Sequence, residues 1–330
     1  INRVVGSGLC VFMGLAIVSF VFASSLIEVS LNGYQDLSTL QKNGFDIVYV
    51  SDNYLADVVI THEYEIVRLD QLGISYQITH EDLEQFYADR LLPARDDMGG
   101  YRTLEEIETD LFQFFEDFDH IVSEPESIGE SIEERPIWAV KFSDNPNEEE
   151  DDEAEILFTS LTHAREVITP EVLFGVMNTL IDGYDNDEYL TRLVNEREIW
   201  FIICLNPDGY VQNEEDEPDG GGMWRKNKRE NQDGSIGVDL NRNWGLAWGY
   251  DNVGSSPVGR DPTYRGTAAF SEPETQSLRE FINEREFTIA VNFHGYGNLA
   301  LYPWGYDYFQ CPDLHLFTAL SQKMTAENGY

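Results

Sequence analysis

Positive charge is what this chain has least of: 21 Lys and Arg stand against 61 Asp and Glu, a net charge of −40, and only five of the basic residues are Lys. A nucleic-acid ligand needs a basic footprint to displace counterions from its phosphates, so that class is excluded. An anionic membrane surface is excluded as a partner on the same ground. Cysteine is scarcer still, at three. Cys10 lies in an N-terminal apolar stretch and Cys204 in an apolar run where a free thiol behaves as a small hydrophobe; with Cys311 they make no disulfide framework and at most one bridge. Histidine is present only six times, so the setting of each one carries information. His62, His80, His120 and His315 sit in no distinctive context and read as ordinary polar or partly buried residues.

One long apolar run is present, residues 4–22, preceded by Asn2-Arg3 and followed by Ala23-Ser24-Ser25. A basic start, an apolar centre and small residues behind it describe a secretory signal peptide over 1–25 and imply a secreted, periplasmic or cell-envelope protein. A retained membrane anchor is the second reading, because the run approaches the ~20 residues of a spanning helix; membrane contact is expected through this segment alone. The acidic runs 147–155 and 214–219 read as solvated loops. Bound calcium is a weak alternative for some of the acids, namely Asp182, Asp185 and Asp187, or Asn231, Asp233 and Asp239. Neither set has the spacing of an EF-hand loop.

From residue 26 to about 92 the pattern predicts a strand at 26–31, a helix at 37–42, strands at 46–50 and 56–61, a helix at 64–72 and a strand at 75–79. That βαββαβ order is the split arrangement of a small α+β ferredoxin-like domain. Residues 93–100, rich in Pro and Gly, read as a linker. A second domain over 101–330 opens with Thr103-Leu104-Glu105-Glu106, a capping box before a helix whose apolar face is Leu104, Ile107, Leu111, Phe114, Phe115 and Phe118. Apolar runs at 156–161, 199–205 and 288–293 alternate with helices, one started by Thr169 and Pro170 and another capped by Ser271-Glu272-Pro273-Glu274. The fold class implied is α/β, a mixed, mostly parallel sheet with helices on both faces.

His163 and Glu166 stand three residues apart just past the 156–161 run, and His294 stands just past the 288–293 run. Open α/β sheets gather their sites beyond the carboxyl ends of the strands, so ligands distant in sequence converge there. Two imidazoles and a carboxylate are the ligands of a catalytic zinc, and three protein ligands leave a fourth position open. Between the second and third ligands come Trp224-Arg225-Lys226 and Asp239-Leu240-Asn241-Arg242-Asn243-Trp244, cationic groups in a chain that has few. An arginine beside a metal suits a carboxylate or a developing oxyanion, and a peptide with a free C-terminal carboxylate offers both. Lys226, Lys228 and Arg229 read as balancing nearby acids.

With these motifs, together with Asn206-Pro207-Asp208-Gly209-Tyr210 and His294-Gly295-Tyr296, the chain resembles the metallocarboxypeptidases, zinc carboxypeptidases of the funnelin fold, from about Tyr101 to Tyr330. The resemblance implies that His163, Glu166 and His294 hold one zinc ion and that Arg225 stabilises the oxyanion. It implies further that Asn241 and Arg242 grip the terminal carboxylate, that Arg165 and Tyr296 line outer substrate subsites, and that Asp239 bonds His163 and fixes its tautomer. A non-proline cis peptide is implied at Gly295-Tyr296. The N-terminal βαββαβ unit resembles the propeptides of such enzymes and is expected to cover the cleft until the linker near Arg95 is cut. The family's general-base glutamate and mobile tyrosine lie on segments well after the third ligand, and neither has a counterpart up to Tyr330. The sequence is accordingly read as a fragment, C-terminally incomplete. Two other functions are compatible with the motifs: a peptidase of cell-wall peptides containing a diamino acid, and a non-catalytic zinc or peptide-binding module.

Overall fold

The computed structural model describes residues 23–51, 54–88, 98–150, 152–295, 297, 299–307 and 309–326. The stretch read as a signal or anchor, residues 4–22, lies outside them. Among the described residues no helix is long and apolar enough to cross a membrane.

The N-terminal unit runs β1 (Ser25–Ser30), α1 (Tyr34–Lys42), β2 (Asp46–Val50), β3 (Leu55–Ile60), α2 (Glu63–Leu72), β4 (Tyr76–His80) and α3 (Leu83–Ala88). Its sheet has the order β2-β3-β1-β4, with every ladder antiparallel. Alternate residues supply the core: Ile27 and Val29 from β1 and Ala56, Val58 and Ile60 from β3 meet Leu40 of α1 and Leu69 of α2. The opposite face buries Leu26, Val59 and Leu83, against which Val48 and, from the second unit, Met223 pack. The helix α3 falls where no element was expected. Residues 93–97 of the expected linker lie outside the described residues, while Met98–Gly100 form one 3-10 turn, with Met98 buried and its N–H donated to Pro218 O at 2.7 Å.

The second unit continues with α4 (Leu104–Phe118), β5 (Glu126–Glu130), β6 (Pro136–Phe142), β7 (Ala154–Thr159), α5 (Ile168–Gly183), α6 (Glu188–Asn195), β8 (Arg197–Ile202), α7 (Pro207–Asp216), α8 (Pro273–Asn283), β9 (Phe287–Asn292) and α9 (Leu314–Met324). The capping box closes at α4, where Thr103 Oγ1 accepts from Glu106 N at 3.2 Å and Glu106 Oε2 accepts from Thr103 N at 2.9 Å. The five strands form one mixed sheet, β5-β6-β8-β7-β9. β7 runs parallel to β8 and β9, whereas β5 and β6 join antiparallel as a hairpin that the sequence reading did not separate. Helices cover both faces. Val140, Phe142, Ile199 and Phe201 face α4, α5 and α7, and Ile137, Ala139, Trp200 and Ile202 face α8 through Leu278 and Phe281. Burial of each such side chain contributes about 1.5–3 kcal/mol. α5 begins at Ile168, before the expected Thr169-Pro170 start, and Asn206-Pro207-Asp208-Gly209 opens α7, with Asn206 as its N-cap.

The first turn of α8 carries a strained charge. Glu274 is fully buried; Asn227 Nδ2 donates to its Oε2 at 3.2 Å, and its Oε1 has no partner. Burial, reinforced by Glu272, pushes its carboxyl from 4.5 up to about 7. Folding therefore takes up a proton between those two pH values, and stability falls as pH rises from about 4.5 through 7. Glu274→Gln removes that loss. Its thermal midpoint should exceed that of the unsubstituted chain by about 7–14 °C at pH 8 and by nothing at pH 4, as scanning calorimetry would show.

Candidate metal centre

Two neighbouring strands deliver the histidines. β7 and β9 are in register at Thr159 and Asn292, and the ladder is extended by Phe293 N donating to Thr159 O at 2.8 Å. The chain leaving β7 reaches His163 within four residues and the chain leaving β9 reaches His294 within two, so both arrive at the same sheet edge. The turn between is tied down from three sides. Thr169 Oγ1 donates to Glu166 O at 2.8 Å, Asn206 Nδ2 donates to Thr162 O and Lys226 O at 3.3 and 3.2 Å, and Ala164 N donates to Arg225 O at 3.2 Å. Asn206 is fully buried, and a Cβ at Gly209 would come within 2.5 Å of Lys226 O. The Asn-Pro-Asp-Gly motif is thus the fastening between the ligand turn and the arginine segment, a role its sequence alone did not disclose.

The donor set converges. His163 Nδ1 lies 2.7 Å from Glu166 Oε1, His294 Nδ1 lies 2.9 Å from Glu166 Oε2, and the two Nδ1 atoms are 3.1 Å apart. All three side chains can place one ligand atom within 4.8 Å of the others. His163 and Glu166 are buried, while the His294 side chain keeps 31% of its surface open to solvent. On its far side His163 Nε2 stands 3.3 Å from Asp239 Oδ1. With that carboxylate accepting the Nε2 proton, the lone pair is left on Nδ1, facing the other donors. Two inward lone pairs and a carboxylate, partly closed and partly open, fit a divalent ion of the zinc type. Burial opposes the charge on Glu166, yet the two histidines hold its carboxyl below the usual carboxylate range.

Asp239 serves a second neighbour. Its Oδ2 accepts from Arg225 Nη2 at 2.8 Å and Nε at 3.3 Å. Burial again opposes ionisation, but Arg225, Arg242 and His163 keep Asp239 well below its ordinary value, and Asp239 with Asp46 drives Arg225 upward against its own desolvation. Arg165 is paired across the unit boundary, its Nη2 donating to Asp46 Oδ2 at the start of β2, and Asp46 Oδ1 lies 3.7 Å from Arg225 Nη1. Asp46 is buried, and the two arginines outweigh that burial to hold its carboxyl down. Sequence reading saw Asp46 only as the first residue of a strand. The α1–β2 turn just before it and helix α2 are seated on the 256–264 loop: from α2, Arg68 Nη2 reaches Asp261 Oδ1 at 3.3 Å and Tyr64 Oη donates to Arg260 O at 2.9 Å, and Thr263 Oγ1 donates to Gly44 O of the turn at 3.3 Å. Gly44 has φ 75°, and a Cβ there would fall 2.6 Å from Asp261 Oδ2, so the position requires glycine.

Asn241 and Arg242 follow Asp239 in a 3-10 turn; Arg242 Nε donates to Gly254 O at 2.5 Å and its Nη1 to Asn241 O at 3.1 Å. Tyr296 lies outside the described residues, as does its bond to Gly295, and a non-proline cis peptide is found at Pro303-Trp304. Lys226 lies among the acids Asp239, Asp261 and Asp233, as expected, but among the described residues it forms no direct ion pair and donates its buried Nζ to Gly259 O at 2.9 Å and Asp261 O at 3.4 Å. Arg229 does meet Glu272, at 3.0 Å. Neither calcium set brings three carboxylates together: Asp187 Oδ1 caps α6, Asp233 accepts from Ser235, and Asp239 is engaged as described.

The sequence profile of the zinc carboxypeptidases matches residues 111–330, and the chain belongs to that family. It is 36% identical over 243 residues to a zinc carboxypeptidase of Saccharothrix mutabilis subsp. capreolus, covering 70% of this chain and 54% of the relative. To carboxypeptidase A2 of Rattus norvegicus it is 31% identical over 269 residues, covering 78% and 62%. The chain thus spans little more than half the length of these two relatives. Among solved structures the fold is similar to that of the carboxypeptidase A from Helicoverpa armigera, with a TM-score of 0.77 at 24% identity over 93% of this chain and 78% of that one. It is also similar to the thrombin activatable fibrinolysis inhibitor, with a TM-score of 0.72 at 20% identity over 93% and 81%. Family membership makes Zn2+ the expected ion.

Asp239→Asn keeps the shape of the contact and removes the charge beside His163 Nε2. Zinc affinity, measured by competition with a chromophoric chelator, should weaken about 10–100-fold. An unchanged affinity would mean that the Asp239 charge does not act on the metal centre through His163.

Proposed function

We propose that the protein carrying this chain is a zinc-dependent carboxypeptidase that hydrolyses the C-terminal peptide bond of peptides or proteins. The observation that supports it most is the convergence of His163, Glu166 and His294 next to a buried arginine, Arg225, in a chain of the zinc carboxypeptidase family. His163 and His294, through Nδ1, and the Glu166 carboxylate would hold the ion. Zinc held so supplies Lewis acidity to a carbonyl and lowers the pKa of water towards neutrality.

The chain's own residues supply the other contacts to the substrate, the general base excepted. Arg225, fixed by Asp239, presents a cation that neutralises negative charge as it develops on the carbonyl oxygen. Asn241 and Arg242, one turn beyond Asp239, receive the terminal carboxylate, and Arg242 has to leave the Gly254 carbonyl to do so. Arg165, and Tyr296 beside it in role, orient the peptide upstream of the scissile bond. The N-terminal unit acts as a cover, because Asp46 takes up the guanidinium groups of Arg165 and Arg225 that a substrate would use. Export from the cytoplasm follows from the apolar run at 4–22, and a cut in the 93–100 linker near Arg95 would free the cleft.

After such a cut and removal of the N-terminal unit, N-blocked peptides with a free C-terminus should release their last residue, and their C-terminal amides should not. Glu166→Gln or a zinc chelator should abolish the release. Equal cleavage of acid and amide, or full activity before the cut, would contradict this function or the covering role respectively.

A further inference from the structure

Asp46 does more than block two arginines, because the pair it joins is continuous with the ligand set. From Asp46 Oδ1 the path runs 3.7 Å to Arg225 Nη1, from Arg225 Nη2 2.8 Å to Asp239 Oδ2, from Asp239 Oδ1 3.3 Å to His163 Nε2, and from His163 Nδ1 2.7 Å to Glu166 Oε1. Every member is at most 9% exposed, so little solvent screens the chain of charges. Arg225 is shared, with one end on the N-terminal unit and the other on the carboxylate that orients a histidine ligand. We propose that seating of the N-terminal unit and occupancy of the metal centre are thermodynamically linked through Asp46, Arg225 and Asp239, so that the covered form retains its ion more tightly than the uncovered one. The inference rests on the reading of His163, Glu166 and His294 as zinc ligands and concerns the regulation of that site.

Two physical effects give the same sign. Among Asp46, Arg165, Arg225, Asp239 and Glu166, the acids outnumber the arginines by one while Asp46 is seated and balance them once it is gone; a divalent cation is therefore favoured by the seated form. In addition, Asp46 draws on the charge of Arg225, which leaves more negative charge on Asp239 for His163 and makes Nδ1 the better donor. The 256–264 loop anchors the unit by independent contacts, through Arg68 and Asp261 and through Tyr64 and Arg260, so loss of the Asp46 charge does not by itself remove the cover. Linkage is reciprocal: whatever factor seating adds to metal affinity, the metal adds to seating. Asp46 is then a positioning residue that acts through Arg225 and Asp239, with no contact to the ion.

The test uses the full chain and no substrate. Zinc affinity of the wild-type chain and of Asp46→Asn is measured by competition with a chelator, and amide hydrogen exchange of the wild-type chain is followed with and without Zn2+. Asp46→Asn should bind zinc about three- to tenfold more weakly, below the range for direct partners of metal ligands because it stands further out. Zinc should slow exchange in the wild type at residues 45–47 and 261–264, where the two units meet, a response that a merely structural Asp46 would not produce. Equal affinity of the two chains, or exchange at those residues indifferent to zinc, overturns the linkage while leaving the metal centre in place. A wild-type chain that binds no zinc overturns both.

Discussion

The carboxylate of Asp239 is the constraint on which the rest of the site depends. It is fully buried, and its two oxygens are divided between His163 Nε2 and Arg225. A charge in that position is tolerable only because both partners are held against it, the histidine by the turn after β7 and the arginine by its backbone carbonyl on Ala164 N. One residue thereby faces both the His163 imidazole of the candidate metal centre and the Arg225 guanidinium. Neither the ligand set nor the arginine would keep its geometry if the other moved.

The sheet explains why such a centre can be built from residues 163 and 294. Parallel pairing of β7 with β8 and β9 sends three chain segments out at the same edge, and the loops that follow carry His163, Asn206 and His294. The antiparallel hairpin of β5 and β6 extends the sheet on the far side and brings no ligand. Its contribution is to the core, through side chains that alternate between the two helical layers.

What the sequence disclosed, and what it did not, follows from the range of the interactions. The convergence of His163, Glu166 and His294 was legible because the two histidines stand just past apolar runs, and strand ends are where α/β sites form. The capping box at Thr103 was legible because its partners are three residues apart. The helix α3 and the β5–β6 hairpin were missed: Leu83–Ala88 is short, and Trp138, Val140 and Phe142 face one layer while Ile137 and Ala139 face the other, which leaves no polar alternation to mark a strand. Asp46 was invisible for a different reason. An acid opening a strand is unremarkable, and only the folded chain sets it against Arg165, 119 residues away. Asn206 and Lys226 belong with it, since backbone carbonyls that occupy a side chain leave no trace in residue type.

Diffraction from metal-soaked crystals at the zinc absorption edge tests the central claim most directly. The account predicts one anomalous peak among Nδ1 of His163, Nδ1 of His294 and the carboxylate of Glu166, with Asp239 still on Nε2 of His163. A peak elsewhere, or ligation of His163 through Nε2 with Asp239 displaced, would contradict it.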